Sequence, residues 1–233
     1  AAAWRLANLV LNALVVVLSL VTLAGILAAP FLVRAIAPGF AAIPGKIELT
    51  VLLTRIMFPF LLLVALAALA MGDLNAKRQF AVPASASIMF NLGSILAGVG
   101  FAFLFAPNFL HDPGQAARAM VGISVGTLVG GAAQWLIQVP SLWRTGYRYA
   151  PVLDWRDEGL RRVARLIGPA VVGVSAVQVN VFVNTWFASF YGDGAVTWLN
   201  CAFRLMQFPI GLFGVAISMA TLPTVSVHAA RGE

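Results

Sequence analysis

Long apolar intervals without a charged residue dominate the chain, and each one is bounded by Lys, Arg, Asp or Glu. A helix that spans a lipid bilayer needs about 20 apolar residues, so intervals of this kind indicate membrane-spanning helices. The pattern predicts an all-α, polytopic transmembrane helix bundle. Its six predicted spans lie at about residues 9–33, 49–71, 81–105, 119–142, 166–190 and 195–225.

Composition supports lipid as the solvent of most of the chain. Of the 233 residues, 61% are apolar and 10% are charged, whereas an ordinary soluble domain is about half apolar and about a quarter charged. Too few polar side chains remain to cover a water-soluble globule. Soluble enzymes, nucleic-acid-binding proteins and disordered chains are therefore disfavoured.

Few residues within the predicted spans could perform catalysis or bind a metal. The only cysteine is Cys201, so an internal disulfide and a cysteine-based metal cluster are excluded. His111 and His228 lie outside the spans, and all eight carboxylates lie in or beside the connecting loops. We therefore predict no metal site and no enzymatic activity, because an intramembrane enzyme needs such groups at bilayer depth.

Basic residues are unevenly divided between the two sides of the membrane. Six spans place the N-terminus, loops 72–80 and 143–165, and the C-terminus on one side, where ten Lys and Arg residues lie. The opposite side holds three, namely Arg34, Lys46 and Arg118. The positive-inside rule predicts that both ends of this sequence face the cytoplasm.

Residues 143–165 form the one long polar linker, which is the best candidate for a boundary between two helix bundles. An amphipathic run begins at Trp155. One interpretation is a short interfacial helix with Trp155 and Leu160 facing lipid and its arginines facing anionic headgroups. The alternative, which we favour, is an ordinary cytoplasmic loop that follows the charge rule.

Small and polar residues recur at helical spacing in the third and fourth spans. Gly122, Gly126 and Gly130 form a GxxxGxxxG pattern, and Gln134 and Gln138 follow on a neighbouring face. We favour close helix packing and interhelical hydrogen bonds as the explanation. Prolines within spans, at Pro59, Pro169 and Pro209, are expected to kink their helices.

Arg204 is the ionisable residue placed deepest in a predicted span. Counted from Gly192-Asp-Gly194 at the outer end, it lies about 13 to 15 Å into the membrane. Arginine at that depth costs about 2.5–3.5 kcal/mol on an insertion scale, and such residues are usually functional. Arg55 is only about 9 Å into the second span, so we expect it to snorkel outward in a structural role.

The motifs around Arg204 identify a family. Residues 197–216, TWLNCAFRLMQFPIGLFGVA, resemble the eighth transmembrane helix of the MurJ (MviN) lipid II flippases, which are similar to MATE-type exporters. Further similarity lies at 37–40 (APGF), 55–60 (RIMFPF), 80–83 (FAVP) and 168–170 (GPA). The resemblance covers essentially the whole chain, and the order of these motifs is specific.

The resemblance implies a position within a larger, two-lobed protein of about fourteen spans. Residues 1–142 would be the third to sixth spans, 143–165 the linker between lobes, and 166–233 the seventh and eighth spans. The sequence has no initiator Met, and we expect it to be an internal fragment that needs the missing helices of the same chain as partners.

Alternating access in the bacterial inner membrane is the implied activity. A central cationic cavity would bind the pyrophosphate headgroup of lipid II, an undecaprenyl-linked peptidoglycan precursor, while the tail stays among membrane lipids. The implied substrate-binding residues are Arg204, Thr197, Asn200 and Gln207. Phe203 and Gln207 replace acids that commonly flank this arginine in the family, which puts acid-linked gating in doubt.

The sequence leaves more than one energy source for transport possible. Asn180 and Asn184 lie one helical turn apart and could offer carbonyl oxygens to a coupling cation, but interhelical hydrogen bonding explains them equally well. No cofactor is predicted, and coupling to Na⁺, to H⁺ or to the membrane potential is undecided.

Two other functions compete with a flippase. A MATE-type ion-coupled drug exporter would need cavity acids for cationic substrates, and this sequence offers an arginine. A non-transporting membrane assembly partner would have to pair Arg204 with a carboxylate of another chain.

Overall fold

The computed structural model describes residues 2–209, and each regular element in that range is helical. Helices suit lipid because every backbone hydrogen bond is made within the segment. Two short 3₁₀ turns, at Pro38–Ala42 and Pro113–Gln115, accompany eight α-helices. The helices are α1 (Ala2–Ile36), α2 (Lys46–Met57), α3 (Phe60–Ala76), α4 (Ala81–Phe105), α5 (Ala116–Leu136), α6 (Val139–Arg144), α7 (Glu158–Ala188) and α8 (Ala195–Pro209).

Five stretches of the described chain are long and apolar enough to cross a membrane. They are Trp4–Ile36, Lys46–Ala76, Ala81–Phe105, Pro113–Arg144 and Glu158–Ala188. The all-α transmembrane bundle is confirmed, and the first five predicted spans correspond to these stretches. The sixth, predicted at 195–225, begins with α8, and its residues 210–225 lie outside the described residues.

Pro59 divides the second span into α2 and α3. Because proline has no N–H, it cannot donate within the helix that precedes it. The Phe58 N–H still donates to the Thr54 carbonyl at 3.0 Å, and the helix resumes with the Leu62 N–H donating to the Pro59 carbonyl at 3.1 Å. Pro169, by contrast, lies inside the continuous α7.

A third proline, Pro30, lies inside α1 and deprives the Ile26 carbonyl of its helical donor. The Arg55 Nε donates to this carbonyl at 3.2 Å. Arg55 is therefore bonded to α1, which replaces the outward snorkelling expected from its depth. Beside it, the Phe58 ring packs where a side chain at Gly25 would lie.

The glycine pattern in α5 brings two helices into backbone contact. A Cβ at Gly122, Gly126 or Gly130 would lie closer than 3.0 Å to backbone atoms of α4. Gln138 is buried, and its Nε2 donates to the Ala67 carbonyl of α3 at 3.1 Å. The predicted packing role is confirmed for these residues.

The largest buried cluster lies where the N-terminus meets the linker. Since small side chains let helices approach closely, alanines supply much of the core. The cluster contains Ala7, Ala70, Leu74, Leu142 and Tyr147, and Trp4, Val82 and Trp135 pack against it. It joins α1, α3, α6 and the residues after α6.

The amphipathic run after Trp155 forms the start of a long helix, rather than a short interfacial helix of its own or an ordinary loop. Asp157 caps the start of α7, and its Oδ1 accepts from the Gly159 N–H at 2.9 Å and the Leu160 N–H at 3.3 Å. From there α7 runs without interruption to Ala188. Leu160 is buried rather than facing lipid, whereas Trp155 is 51% exposed. The division into lobes at 143–165 stays a prediction.

Candidate functional site

The polar side chains of α8 recur three and four residues apart, so they share one face of the helix. Thr197, Asn200, Arg204 and Gln207 are all exposed. The Asn200 Nδ2 donates back to the Val196 carbonyl at 2.8 Å, which leaves its Oδ1 available. The predicted residues therefore lie along one open face, and their binding roles stay predictions.

Arg204 is exposed on that face and, within residues 2–209, has no carboxylate partner at salt-bridge distance. It lies ten residues after Gly194, about 15 Å along the helix at 1.5 Å per residue. A guanidinium placed this way binds an anion strongly where water is scarce, because its fork can donate two parallel hydrogen bonds.

Asn180 and Asn184 are bonded to each other on α7. The Asn184 Nδ2 donates to the Asn180 Oδ1 at 2.8 Å. The pair therefore satisfies part of its hydrogen bonding within one helix, and the Asn184 Oδ1 remains free to accept or to coordinate. No described contact joins this pair to Arg204.

The connection between α7 and α8, residues 189–194, contacts the connection between α1 and α2, residues 37–45. The Gly39 N–H donates to the Ser189 Oγ at 3.1 Å, and that hydroxyl donates to the Trp186 carbonyl at 2.7 Å. Lys46 forms an ion pair with Asp193 and lies over the Phe40 ring, 4.5 Å from its centroid. We call the contacts of Gly39 and Lys46 with Ser189 and Asp193 the turn contact.

Glycine permits both the reversal and the close approach at this place. Gly192 and Gly194 each have a φ of +91°, which other residues adopt only at a cost. A Cβ at Gly39 would meet the backbone of Ser189 and Phe190. The turn contact therefore fixes where α8 begins, and this start sets the depth of Arg204 along the span.

The other end of α7 is also bound to α1. The Arg5 guanidinium pairs with the Asp157 carboxylate at 3.3 Å. The Leu6 side chain lies against Gly159, where a Cβ would be 2.8 Å from the leucine Cδ1. Because α1 and its following turn contact both ends of α7, they set the position of the helix across the membrane.

Two asparagines of α1 hold the linker. The Asn8 Nδ2 donates to the Arg148 carbonyl at 2.9 Å, and its Oδ1 accepts from the Ala150 N–H at 3.1 Å. The Asn12 Nδ2 donates to the carbonyls of Ala150 and Val152 at 2.9 and 2.8 Å. We call this arrangement, Asn8 and Asn12 with residues 147–152, the linker clamp.

Tyrosine hydroxyls complete the linker clamp. The Tyr147 hydroxyl donates to the Asn8 Oδ1 at 2.7 Å, and the Tyr149 hydroxyl donates to the Asn12 Oδ1 at 3.1 Å. Burial raises the pKa of Tyr147, and the nearby Asp73 and Tyr149 raise it further. The phenol therefore stays a neutral donor through the physiological range.

Neither the turn contact nor the linker clamp was predicted from the sequence. Asn8 and Asn12 carried a signal, two amides one turn apart in an apolar helix, which is the same signal that singled out Asn180 and Asn184. Gly39 and Ser189 gave no sequence signal for their contact, because partners 150 positions apart cannot be paired from one sequence.

The apolar helices and their packing define a multi-pass α-helical membrane protein. The family described as Lipid II flippase MurJ matches residues 1–233, so the chain belongs to that family. The family resemblance seen in the motifs is confirmed.

Curated relatives agree with this assignment. A "Probable lipid II flippase MurJ" of Vibrio cholerae is 37% identical over 182 residues, 78% of this chain and 33% of the relative. The "Lipid II flippase MurJ" of Burkholderia cenocepacia is 35% identical over 213 residues, 90% of this chain and 39% of the relative. A "Probable lipid II flippase MurJ" of Bdellovibrio bacteriovorus is 34% identical over 231 residues, 98% of this chain and 42% of the relative. The chain thus spans about a third to two fifths of the length of these relatives.

Proposed function

We propose that this chain forms part of a flippase that moves lipid II across the bacterial inner membrane. Its family membership and the names of its relatives support the substrate. In this proposal residues 1–142 belong to the first lobe, 143–165 link the lobes, and 166–233 begin the second. Membrane lipids and the remaining helices of the full-length protein complete the site.

Arg204 is the observation that carries the proposal. It is an exposed guanidinium on an apolar helix, without a carboxylate partner among residues 2–209. The pyrophosphate of lipid II supplies the anion that such a group needs, and bidentate bonds to phosphate oxygens suit its fork. Thr197, Asn200 and Gln207 offer hydrogen bonds from the same face to the rest of the headgroup.

Alternating access requires contacts between the lobes that form and break. The turn contact and the pair Arg5–Asp157 join the first four predicted spans to α7 at its two ends. Each contact contains an ion pair with one well-exposed partner, Arg5 at 62% and Asp193 at 76%, so the free energies of these ion pairs are small enough to be exchanged during a cycle. Opening at one end while the other stays closed is the movement that we propose.

Asn180 and Asn184 are our proposed site for a coupling cation. The hydrogen bond between them leaves the Asn184 Oδ1 free, and amide oxygens are ligands of hard cations. Whether Na⁺, H⁺ or the membrane potential drives transport is decided by measuring flipping under imposed gradients of each.

We further propose that both ends of this sequence face the cytoplasm, on the side with ten of the basic residues. The protein then receives lipid II from the cytoplasmic leaflet. Its work is translocation, in which no covalent bond of the substrate changes, so it is not an enzyme.

The test uses the full-length protein in cells depleted of their own lipid II flippase. Arg204→Ala should abolish growth, because a charge-assisted phosphate contact contributes about 1.5–3 kcal/mol, or roughly 10- to 100-fold in affinity. Arg204→Lys keeps the charge without the fork and should retain part of the activity. Leu205→Ala, at a neighbouring residue that is 75% exposed, is the matched control and should grow normally.

Two further measurements distinguish the possible results for Arg204→Ala. They are the level of the protein in the membrane and the amount of lipid II accessible at the outer face of the membrane. Normal growth of cells with Arg204→Ala contradicts the proposal. Loss of membrane insertion with that variant favours an assembly partner, since the carboxylate of the other chain would then be left unpaired in the membrane. Export of cationic dyes with unchanged lipid II flipping favours a MATE-type exporter.

A further inference from the structure

Two clefts adjoin each other at the end of the bundle where the linker lies. One is an apolar cleft of about 340 Å³ between α1, α3 and the end of the fourth span, lined by Leu11, Leu66, Val139 and Leu142 among others. The second, the basic cleft, is open and about 510 Å³ in volume, and it is lined by Pro140, Trp143, Arg144, Arg148 and Tyr149. Both volumes fall in the usual range for ligand sites.

Trp143 and Tyr149 line both clefts and so connect them. The two side chains are 57% and 61% exposed. Large amphipathic rings of this kind are enriched where the hydrocarbon of a membrane meets its headgroups. The junction of the clefts is thus placed at the depth where a lipid changes from chain to headgroup.

The arginines of the basic cleft have no acidic partner in the described part of the chain. Both are exposed, and the ion pairs there involve Arg5 and Lys46 instead. The Arg148 Nη1 donates to the Tyr147 carbonyl at 3.1 Å and more weakly to the Trp143 carbonyl at 3.5 Å. These bonds orient the guanidinium and leave its other donors free for an anion.

The backbone beneath the basic cleft is fixed, so the site is built before a ligand arrives. The linker clamp holds the Arg148 carbonyl through Asn8, and the buried Tyr147 packs edge to face on Trp4 with ring centroids 5.4 Å apart. Gly146, with a φ of +87°, turns the chain between Arg144 and Arg148. Both arginines therefore lie on one short, anchored segment.

We propose that these clefts bind one anionic phospholipid of the adjoining leaflet, with its phosphate on Arg144 and Arg148 and an acyl chain in the apolar cleft. Charge complementarity selects a phosphate for the basic cleft. Asp73 lines the apolar cleft but not the basic one, and its carboxylate repels a phosphate from the apolar side. The site is on α1, α3, α6 and the linker, so it is distinct from the proposed substrate site on α8.

Quenching of Trp143 fluorescence tests the proposal. The protein that carries this sequence is reconstituted in phosphatidylcholine nanodiscs with increasing fractions of phosphatidylglycerol whose acyl chains are dibrominated. The Trp143 signal is the difference between the protein and its Trp143→Phe variant. We expect saturable quenching with phosphatidylglycerol, and only weak quenching that rises linearly with lipid fraction for dibrominated phosphatidylcholine or phosphatidylethanolamine.

Variants separate the two halves of the site. Arg144→Gln/Arg148→Gln should raise the half-saturating fraction about 25-fold, about fivefold for each charge near the membrane surface. Arg144→Lys/Arg148→Lys keeps both charges and should stay within a few-fold of the unaltered protein. Val15 also lines the apolar cleft. Val15→Phe narrows this cleft without changing charge and should abolish the saturable quenching while the protein remains monodisperse.

The matched control is Arg162→Gln/Arg165→Gln, which removes two exposed arginines of α7 that line neither cleft. It should leave the half-saturating fraction unchanged. An equal loss with this control, equal quenching by the zwitterionic lipids, or quenching that never saturates overturns the proposal. None of these results depends on transport, so they leave the test of Arg204 independent.

Discussion

The Gly39 N–H donates to the Ser189 Oγ at 3.1 Å, and this bond joins the α1–α2 connection to the start of the turn that leads into α8. Ser189 is only 3% exposed. The approach is close because Gly39 has no side chain, and a Cβ there would meet the carbonyl of Ser189. The position of Arg204 therefore depends on a glycine in a different predicted lobe.

Gly39→Ala should destabilise the protein by about 1–3 kcal/mol, because an inserted methyl group must push the two connections apart. The measurement is the thermal unfolding midpoint of the purified protein in detergent, followed by circular dichroism. Gly72→Ala is the matched control, since nothing lies within 4 Å of a Cβ at Gly72. An unchanged midpoint for Gly39→Ala would show that the two connections are not in contact.

Lys46 and Asp193 should contribute only weakly to the turn contact. The Asp193 side chain is 76% exposed, and exposed ion pairs typically contribute about 0.2–1 kcal/mol. A double-mutant cycle with Lys46→Ala and Asp193→Ala should give a coupling energy in that range at low salt, decreasing as salt is added. A coupling energy that salt does not change would contradict a solvent-exposed pair.

The free-energy cost of substituting Arg55 should depend strongly on whether residue 30 is a proline. Arg55→Ala leaves the Ile26 carbonyl without any donor and should cost about 1.5–3 kcal/mol, as for hydrogen bonds of charged groups. Pro30→Ala restores a backbone N–H to that carbonyl, so the same Arg55→Ala substitution should cost much less in the Pro30→Ala background. Equal costs in both backgrounds would exclude this role of Arg55.

Sequence reasoning found the helices because their apolar intervals are local features, and it found the glycine contact of α4 and α5 because a GxxxGxxxG face has one common use. It also placed the polar residues of α8 on one face, since helical periodicity is enough for that. It did not find the bond of Arg55 to Ile26, because this needs the register of α1 against α2. The turn contact and the linker clamp were missed for the same reason.

Asn8 should be the most sensitive residue of the linker clamp. It is 3% exposed and bonds to the Arg148 carbonyl, the Ala150 N–H and the Tyr147 hydroxyl. Asn8→Ala leaves these groups unpaired and should lower the free energy of unfolding by about 2–4 kcal/mol. Asn91→Ala is the control, because Asn91 is exposed and bonds only to the Ser87 carbonyl of its own helix.

Hydrogen exchange of residues 147–152 distinguishes release of the linker from global unfolding. With Asn8→Ala, these amides should exchange faster while those of α4 and α5 keep their protection. Uniformly faster exchange along the whole chain would mean that the clamp has no local role.

Tyr147 should give the protein a pH dependence in the alkaline range. Burial, with Asp73 and Tyr149, raises its pKa above the ordinary value of 10.0. The folded protein therefore keeps the phenolic proton at a pH where the unfolded chain has lost it, so stability falls as pH rises above about 10.

Tyr147→Phe is less stable at neutral pH because the bond to Asn8 is lost, but its stability should fall less steeply above pH 10. Unfolding midpoints at a series of alkaline pH values measure this difference, with Tyr191→Phe, at an exposed tyrosine, as the control. Parallel slopes for Tyr147→Phe and the unaltered protein would contradict a buried, protonated Tyr147.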